Sequence, residues 1–285
     1  MPSILVAGAT GYLGRHVVQA AAARGWNVTA LVRGDKSVDG ATQVVSVDVT
    51  DPSTLQGVAD GHDFVFSALG ITRQTDKVTY EDIEYTANVH LLDEALRAGV
   101  VGFGVISVVR PDVFADLAIC VSREKFVRHL QQSASTTKTL PTVVRATGFF
   151  SDLQDVFDMA AGGRLFLVGD GETQVNPVHG EDLANAALDA LVSGVAEVDV
   201  GGPDVMSWNA IARLAFSSLQ TPPKVTHVPV WFAKAALAVV RLVHRRAFDV
   251  GSFIARGSTN DVVAPTTGRH TLASHYQELA RGRTS

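Results

Sequence analysis

The apolar run SILVA at 3–7 passes directly into GATGYLG at 8–14, and that loop opens a stretch with helical apolar spacing, YLGRHVVQAAAARG at 12–25. Nothing else in the 285-residue chain restricts its fold so tightly. Gly8, Gly11 and Gly14 form G-x-x-G-x-x-G between a strand and a helix. The first glycine lets the chain turn sharply off the strand. The second lets the backbone approach a pyrophosphate, and the third lets helix pack closely on strand. The helix start then offers N–H groups and the positive end of its dipole to phosphate. In this context the triplet reads as a nucleotide-binding βα turn.

The rest of the first half keeps the same rhythm. Buried strands are expected at 3–8, 27–33, 42–48, 63–69, 102–108 and 142–146, several of them nearly continuous Val, Ile, Leu and Phe runs. Such runs suit parallel strands covered on both faces. Helices are expected at 12–25, 52–59, 80–100 and 114–133, with Gly25 and Gly99 at C-cap positions. Thr50 or Asp51 is placed to N-cap a helix with Pro52 in its first turn. The fold class is therefore α/β, a doubly wound parallel-sheet Rossmann fold. Beyond 150 the pattern becomes turn-rich at 161–180. A helix at 181–193 and a strand at 195–202 follow, then helices near 207–219, 229–245 and 271–281. The expected division is a nucleotide-binding core over 1–150, with 174–202 adding strand and helix to it, and a mostly helical C-terminal substrate lobe over 151–285.

Composition excludes several classes. A formal net charge of −5 argues against a nucleic-acid partner, which needs a basic surface. The single cysteine, Cys120, allows no internal disulfide and fits a reducing compartment, so the expectation is a soluble cytoplasmic protein, monomer or homodimer, with a small-molecule substrate. Lys234 and Arg241 interrupt the apolar stretch 228–243, so it is too short to span a membrane. With HRR at 244–246 behind it, it reads as a packed helix with a basic end, in preference to a helix lying on a membrane surface. No histidines fall at ligand spacing on one helix, and one cysteine cannot build a zinc cluster, so no metal is expected.

Arg33 ends the second strand, where a site selective for NAD usually carries Asp or Glu to accept from the ribose hydroxyls. An arginine cannot accept, but its fork can clamp a 2′-phosphate. NADP(H) is therefore expected over NAD(H), even with Asp35 nearby. Arg15 and Lys36 either add charge there or are ordinary solvated surface.

With these residues in hand, the chain resembles the atypical short-chain dehydrogenase/reductases, in particular their NmrA-like and divinyl chlorophyllide reductase-like branch. GATGYLGRHVV looks like the opening motif of that group, with Thr10, Tyr12 and Leu13 beside the glycines. VDVTDP at 47–52 resembles its third-strand motif, which implies that Asp48 and Val49 meet the adenine. SALG at 67–70 is similar to the loop passing the ribose and nicotinamide, which implicates Ala68, Leu69 and Gly70. RATGFFSDL at 145–153 resembles the segment beside the nicotinamide, implying contacts from Thr147, Gly148 and Phe149, with Ala146 where the family has proline.

The resemblance also locates the catalytic positions. Ordinary members use Ser, Tyr and Lys, often with Asn. Ser107 matches the serine and Asn88 the helical asparagine, while the tyrosine and lysine positions fall on Ile119 and Arg123. Isoleucine transfers no proton and arginine stays charged, so Arg123 is left to hold a ribose or a substrate oxygen as a fixed cation. Ser107, Arg123 and Asn88 are the catalytic candidates, and Ser107 and Arg123 are also counted with the cofactor contacts. His179 and Asp182 read as structural residues near a helix start. Phe149, Phe150, Trp208, Trp231 and Phe232 either roof an apolar substrate pocket or belong to the core. The implied function is an NADP(H)-binding oxidoreductase acting on a small apolar carbonyl or enone without the usual Tyr–Lys pair. The alternative is a non-catalytic dinucleotide-binding sensor or scaffold.

Overall fold

The computed structural model describes residues 1–71, 78–243 and 245–284. In chain order the first half holds β1 (Ser3–Ala7), α1 (Tyr12–Ala23), β2 (Asn27–Val32), β3 (Gln43–Ser46), β4 (Phe64–Ser67), α2 (Ala87–Ala98), β5 (Gly102–Val108), α3 (Ala118–Ala134) and β6 (Leu140–Ala146). There follow α4 (Gln154–Ala161), β7 (Leu165–Val168), β8 (Gln174–Val175), α5 (Gly180–Ser193), β9 (Glu197–Val200) and β10 (Met206–Ser207). The chain closes with α6 (Trp208–Ser218), β11 (Val225–Val228), α7 (Val230–Val243), α8 (Arg245–Thr259) and α9 (Leu272–Thr284). These elements form two compact units. The first comprises Met1–Val108, Ala118–Arg145 and Leu183–Asp199; the second comprises Val109–Leu117, Ala146–Asp182 and Val200–Ser285.

A seven-stranded sheet of order β3-β2-β1-β4-β5-β6-β9 carries the first unit, and β1 pairs in parallel with both β2 and β4. Ile4, Leu5, Val6 and Ala7 are consecutive and all fully buried, because α/β layering covers both faces of the strand. Leu5, Val65, Leu91, Leu92, Phe103 and Phe126 belong to one core cluster. The strand order reverses on either side of β1. In a sheet of this type, ligands bind in the crevice beyond the strand ends at that reversal.

In the second unit, Phe150, Phe157, Ile211, Phe216, Leu272 and Tyr276 make a separate core. The buried Tyr276 hydroxyl donates to the Leu153 carbonyl at 3.0 Å.

Several local expectations need correction. Residues 52–55 form only one 3₁₀ turn, N-capped by the Asp51 carboxylate, which accepts from the Ser53 amide. The helix expected at 80–100 begins as one π-helical turn, Glu81–Thr86. Asn88 Nδ2 donates to the carbonyls of Ile83 and Glu84 at 3.0 and 3.1 Å and so takes up acceptors of the widened turn. The helix expected at 114–133 starts only at Ala118.

Helix α8 escaped the sequence reading because Gly251 and Gly257 lower its helical propensity. Gly251 has a packing reason, since a Cβ there would lie 2.7 Å from the Leu237 side chain of α7. Among the described side chains of α7, Val230, Ala233, Leu237 and Val240 are half-buried, while Trp231 (71% exposed), Phe232 (55%) and Val239 (61%) face outward. The helix expected at 229–245 thus packs along one side only, and His244 lies outside the described residues. Among those residues no helix is long and apolar enough to cross a membrane.

Candidate functional site

The turn after β1 is shaped by backbone contact. Gly8 has φ +74°, and a Cβ there would lie 2.6 Å from the Ala68 carbonyl oxygen. A Cβ on Gly14 would lie 2.1 Å from the Gly8 carbonyl oxygen. Both positions exclude any side chain on account of the protein's own backbone. Gly11 differs. Its backbone is extended, φ −75° and ψ 172°, and a Cβ would approach only the Gly8 carbonyl oxygen, at 3.2 Å. Gly11 is exposed and N-caps α1, no side chain caps that helix, and no acidic residue stands in its first turn. Backbone contact thus shuts every side chain out of positions 8 and 14, whereas at Gly11 a methyl would only press on one oxygen, and the bare glycine leaves room for a phosphate group at a helix start.

The SALG loop adjoins this turn through the Gly8–Ala68 contact. Ser67 is fully buried and donates to Asn88 Oδ1 at 2.5 Å. Glu84, 1% exposed, accepts from the Ile71 amide at 3.0 Å and from Arg123 Nε and Nη2 at 2.9 and 2.8 Å. A Cβ on Gly70 would lie 3.2 Å from Arg123 Nη2, so the guanidinium sits against this loop. Arg123 and Asn88 are thus both gathered at the end of β4. Each is already engaged, Arg123 in an ion pair and Asn88 in bracing the π-turn and Ser67. Glu84 was not singled out in the sequence. It stands four residues before Asn88 on a stretch that reads there as ordinary helix.

Arg33 and Asp48 are both exposed, just beyond the paired ends of β2 and β3. Asp48 Oδ1 accepts from the Thr50 hydroxyl at 2.6 Å and the Thr50 amide at 3.0 Å. These bonds, with a smaller contribution from the Arg33 charge, hold its carboxyl below the usual carboxylate range. Among the described residues no carboxylate lies within ion-pair distance of the Arg33 guanidinium.

Ser107, at the end of β5, donates to Glu124 Oε1 at 2.6 Å. Glu124 is clamped by Arg145 through Nη1 and Nη2 at 2.6 and 3.0 Å, and Arg145 Nε also reaches Glu197 at 2.6 Å. Burial by itself raises the Glu124 carboxyl, but the bonds from Arg145 and Ser107 outweigh it and the net direction is down. The Ser107 hydroxyl therefore serves a ladder joining β5, α3, β6 and β9. Cys120 is buried, as a small apolar side chain would be. Lys125 pairs with Glu81 at 2.5 Å and lies over the Tyr85 ring at 3.8 Å.

Thr147, Gly148 and Phe149 belong to the second unit. There the Thr147 hydroxyl donates to the Asn176 carbonyl at 2.6 Å, and the Val178 amide donates to the Gly148 carbonyl at 2.8 Å. Asp182 is structural, accepting from the amides of Arg269 and His270 at 3.0 and 2.9 Å. The apolar roof is not assembled. Phe150 is core, Trp208 Nε1 donates to the Gly257 carbonyl, and Trp231 and Phe232 are exposed. Apolar spacing alone does not separate these fates.

Residues 8–192 match the family described as NAD(P)H-binding. The chain is 26% identical to a chloroplastic divinyl chlorophyllide a 8-vinyl-reductase of Zea mays, over 98% of this chain and 79% of the relative. It is 25% identical to the photosystem II assembly factor Ycf39 of Guillardia theta, over 80% of this chain and 74% of the relative. Among solved structures, the NADPH-dependent quinone oxidoreductase QOR2 of Escherichia coli, complexed with NADPH, is similar in fold. It aligns with a TM-score of 0.70 at 17% identity, covering 97% of this chain and 99% of that one.

Proposed function

The chain belongs to the NAD(P)H-binding family, and from that premise we propose that it is an NADPH-dependent reductase of a small apolar carbonyl or enone. The observation that carries this reading is Gly11, an exposed glycine at the uncapped N-terminus of α1, whose extended backbone does not call for glycine and whose Cβ would meet only the Gly8 carbonyl oxygen, at 3.2 Å. The N-terminus of α1 holds the pyrophosphate there. Arg33 carries the 2′-phosphate with its exposed fork, two parallel charge-assisted bonds that an ammonium makes only as a point charge and a carboxylate cannot make at all.

When bound, the dihydronicotinamide supplies a hydride; the protein supplies position and shelter. Ser67 and Asn88 brace the start of the SALG loop, and Glu84 fixes its far end through the Ile71 amide. Arg123 is a positioning residue, since its charge is spent on Glu84. No tyrosine stands on α3, and neither Ile119 nor Arg123 can deliver a proton. An enone is then the favoured substrate, because the carbon beside its carbonyl takes a proton from water after hydride arrives at the far carbon.

The first test is a pair of calorimetric titrations, NADPH against NADH. A charge-assisted contact is worth about 1.5–3 kcal/mol, so NADPH should bind about ten- to a hundredfold more tightly. Arg33→Ser should erase the preference, and equal affinities in the unaltered protein would overturn the assignment. A second reading, a dinucleotide-binding sensor without turnover, is favoured by the internal engagement of Ser107 and Arg123. Tight NADPH binding with no NADPH oxidation across a broad carbonyl and enone panel would select it.

A further inference from the structure

In the second unit, three side chains from two distant stretches of the chain meet at the start of α5. His179 precedes that helix, Glu181 stands in its first turn, and His270 lies just before α9. One donor atom from each lies within 4.8 Å of the other two. His270 Nε2 is 3.6 Å from Glu181 Oε2, and two donors bound at about 2.0–2.1 Å to a tetrahedral ion lie about 3.4 Å apart. The two imidazole rings face each other with centroids 4.3 Å apart.

Asp182 adds an independent observation. Its Oδ1 lies 2.9 Å from His270 Nδ1, while its Oδ2 is held by the Arg269 and His270 amides. Nδ1 therefore carries a proton, and in the neutral ring the Nε2 lone pair is turned toward Glu181. A carboxylate on the far nitrogen is the usual orienting partner of a metal-bound histidine. An ion held between His270 Nε2 and Glu181 Oε2 is also within reach of the second ring.

The remaining atoms are compatible. His179 Nδ1 accepts from the Glu181 amide at 3.2 Å, so an ion taken by that nitrogen would displace this bond. Glu181 divides its carboxylate, with Oε1 on Arg269 at 3.2 Å and Oε2 toward His270. His270 and Glu181 are 31% and 43% exposed, so an ion can enter from solvent. We propose that His179, Glu181 and His270 bind a divalent transition metal of the zinc class, with Asp182 as the orienting residue. Three protein ligands leave one tetrahedral position to water. The ion would fasten the turn at 268–270 to the head of α5, two segments that only the tertiary fold brings together.

The test uses the full chain, stripped with EDTA and titrated with Zn²⁺ by calorimetry and with Co²⁺ by visible absorption. One equivalent should bind, with the intense visible bands of four-coordinate cobalt. His270→Gln should abolish both signals, Asp182→Asn should weaken binding about 10–100-fold, and the surface variant His227→Gln should change neither. His179→Gln leaves the Asp182–His270 clamp intact and decides the matter should His270→Gln fail to fold. No saturable binding at millimolar Zn²⁺, or undiminished binding in the folded His179→Gln variant, overturns the proposal.

Discussion

Replacing Gly11 by alanine should separate ligand binding from folding, and its contrast with Gly14→Ala is worked directly from the backbone. At position 11 the backbone is extended and already allowed for alanine, and the added methyl meets a single carbonyl oxygen at 3.2 Å. Loss of chain entropy in the unfolded state favours alanine by about 0.4–1 kcal/mol at such a site. Its poorer N-capping costs about the same. The tight contact at 3.2 Å adds a cost, so the net change should be a destabilisation of no more than about 1 kcal/mol. At position 14 the methyl would sit 2.1 Å from the Gly8 carbonyl oxygen and 2.7 Å from its carbon, and neither atom can move without the turn. Overpacking of that kind costs about 1–3 kcal/mol or more, and the better helix propensity of alanine returns at most about 1 kcal/mol. Urea unfolding of both variants, with NADPH titration beside it, gives the comparison. Gly11→Ala should keep its midpoint close to that of the unaltered protein and lose at least tenfold in NADPH affinity, about 1.4 kcal/mol. Gly14→Ala should unfold early. The reasoning fails if Gly11→Ala binds NADPH as the unaltered protein does, or if it is as unstable as Gly14→Ala.

Arg123→Ala strands the buried Glu84 carboxylate and should cost about 3–5 kcal/mol, whereas the paired change Arg123→Met with Glu84→Gln should cost far less; urea midpoints that reverse this order would refute the pairing. In acid, two windows of instability should open. His275, whose imidazole burial holds below its usual 6.5, adds stability above that pH, and this stability is lost as pH falls through its folded value. Glu124 and Asp182, both held below the usual carboxylate range, add stability above about pH 4 that drains away at lower pH. Melting curves of His275→Leu and Glu124→Gln should flatten the upper and lower windows respectively. Trp231→Ala should shift stability by no more than about 0.5 kcal/mol, because 71% of that residue is already in solvent.

How far the chain could be read without coordinates depends on the range of the interactions involved. The glycine turn, the parallel strands and a cap at Thr50 or Asp51 were legible because each is a local matter of backbone freedom, continuous apolar runs or a side chain reaching its own turn. Arg33 was legible too, because its place follows from strand length and the position of the turn before it. The π-turn at Glu81–Thr86 was not, since Asn88 has to reach back over a widened turn to satisfy it. Nor was the pairing of Arg123 with Glu84, or of Ser107 with Glu124, because a sequence displays charge and hydroxyl but not their partners. The exposed side of α7 has the same apolar composition as a buried one, and only the surrounding packing distinguishes them. The sequence by itself determined a glycine turn after a central strand of a doubly wound sheet, because glycine's missing Cβ acts where it stands. Only the tertiary structure decided that Arg123 is tied to Glu84 and Ser107 to Glu124, and that His270 lies against His179 beside Glu181. Those relations join residues that chain connectivity leaves apart and only packing brings within bonding distance.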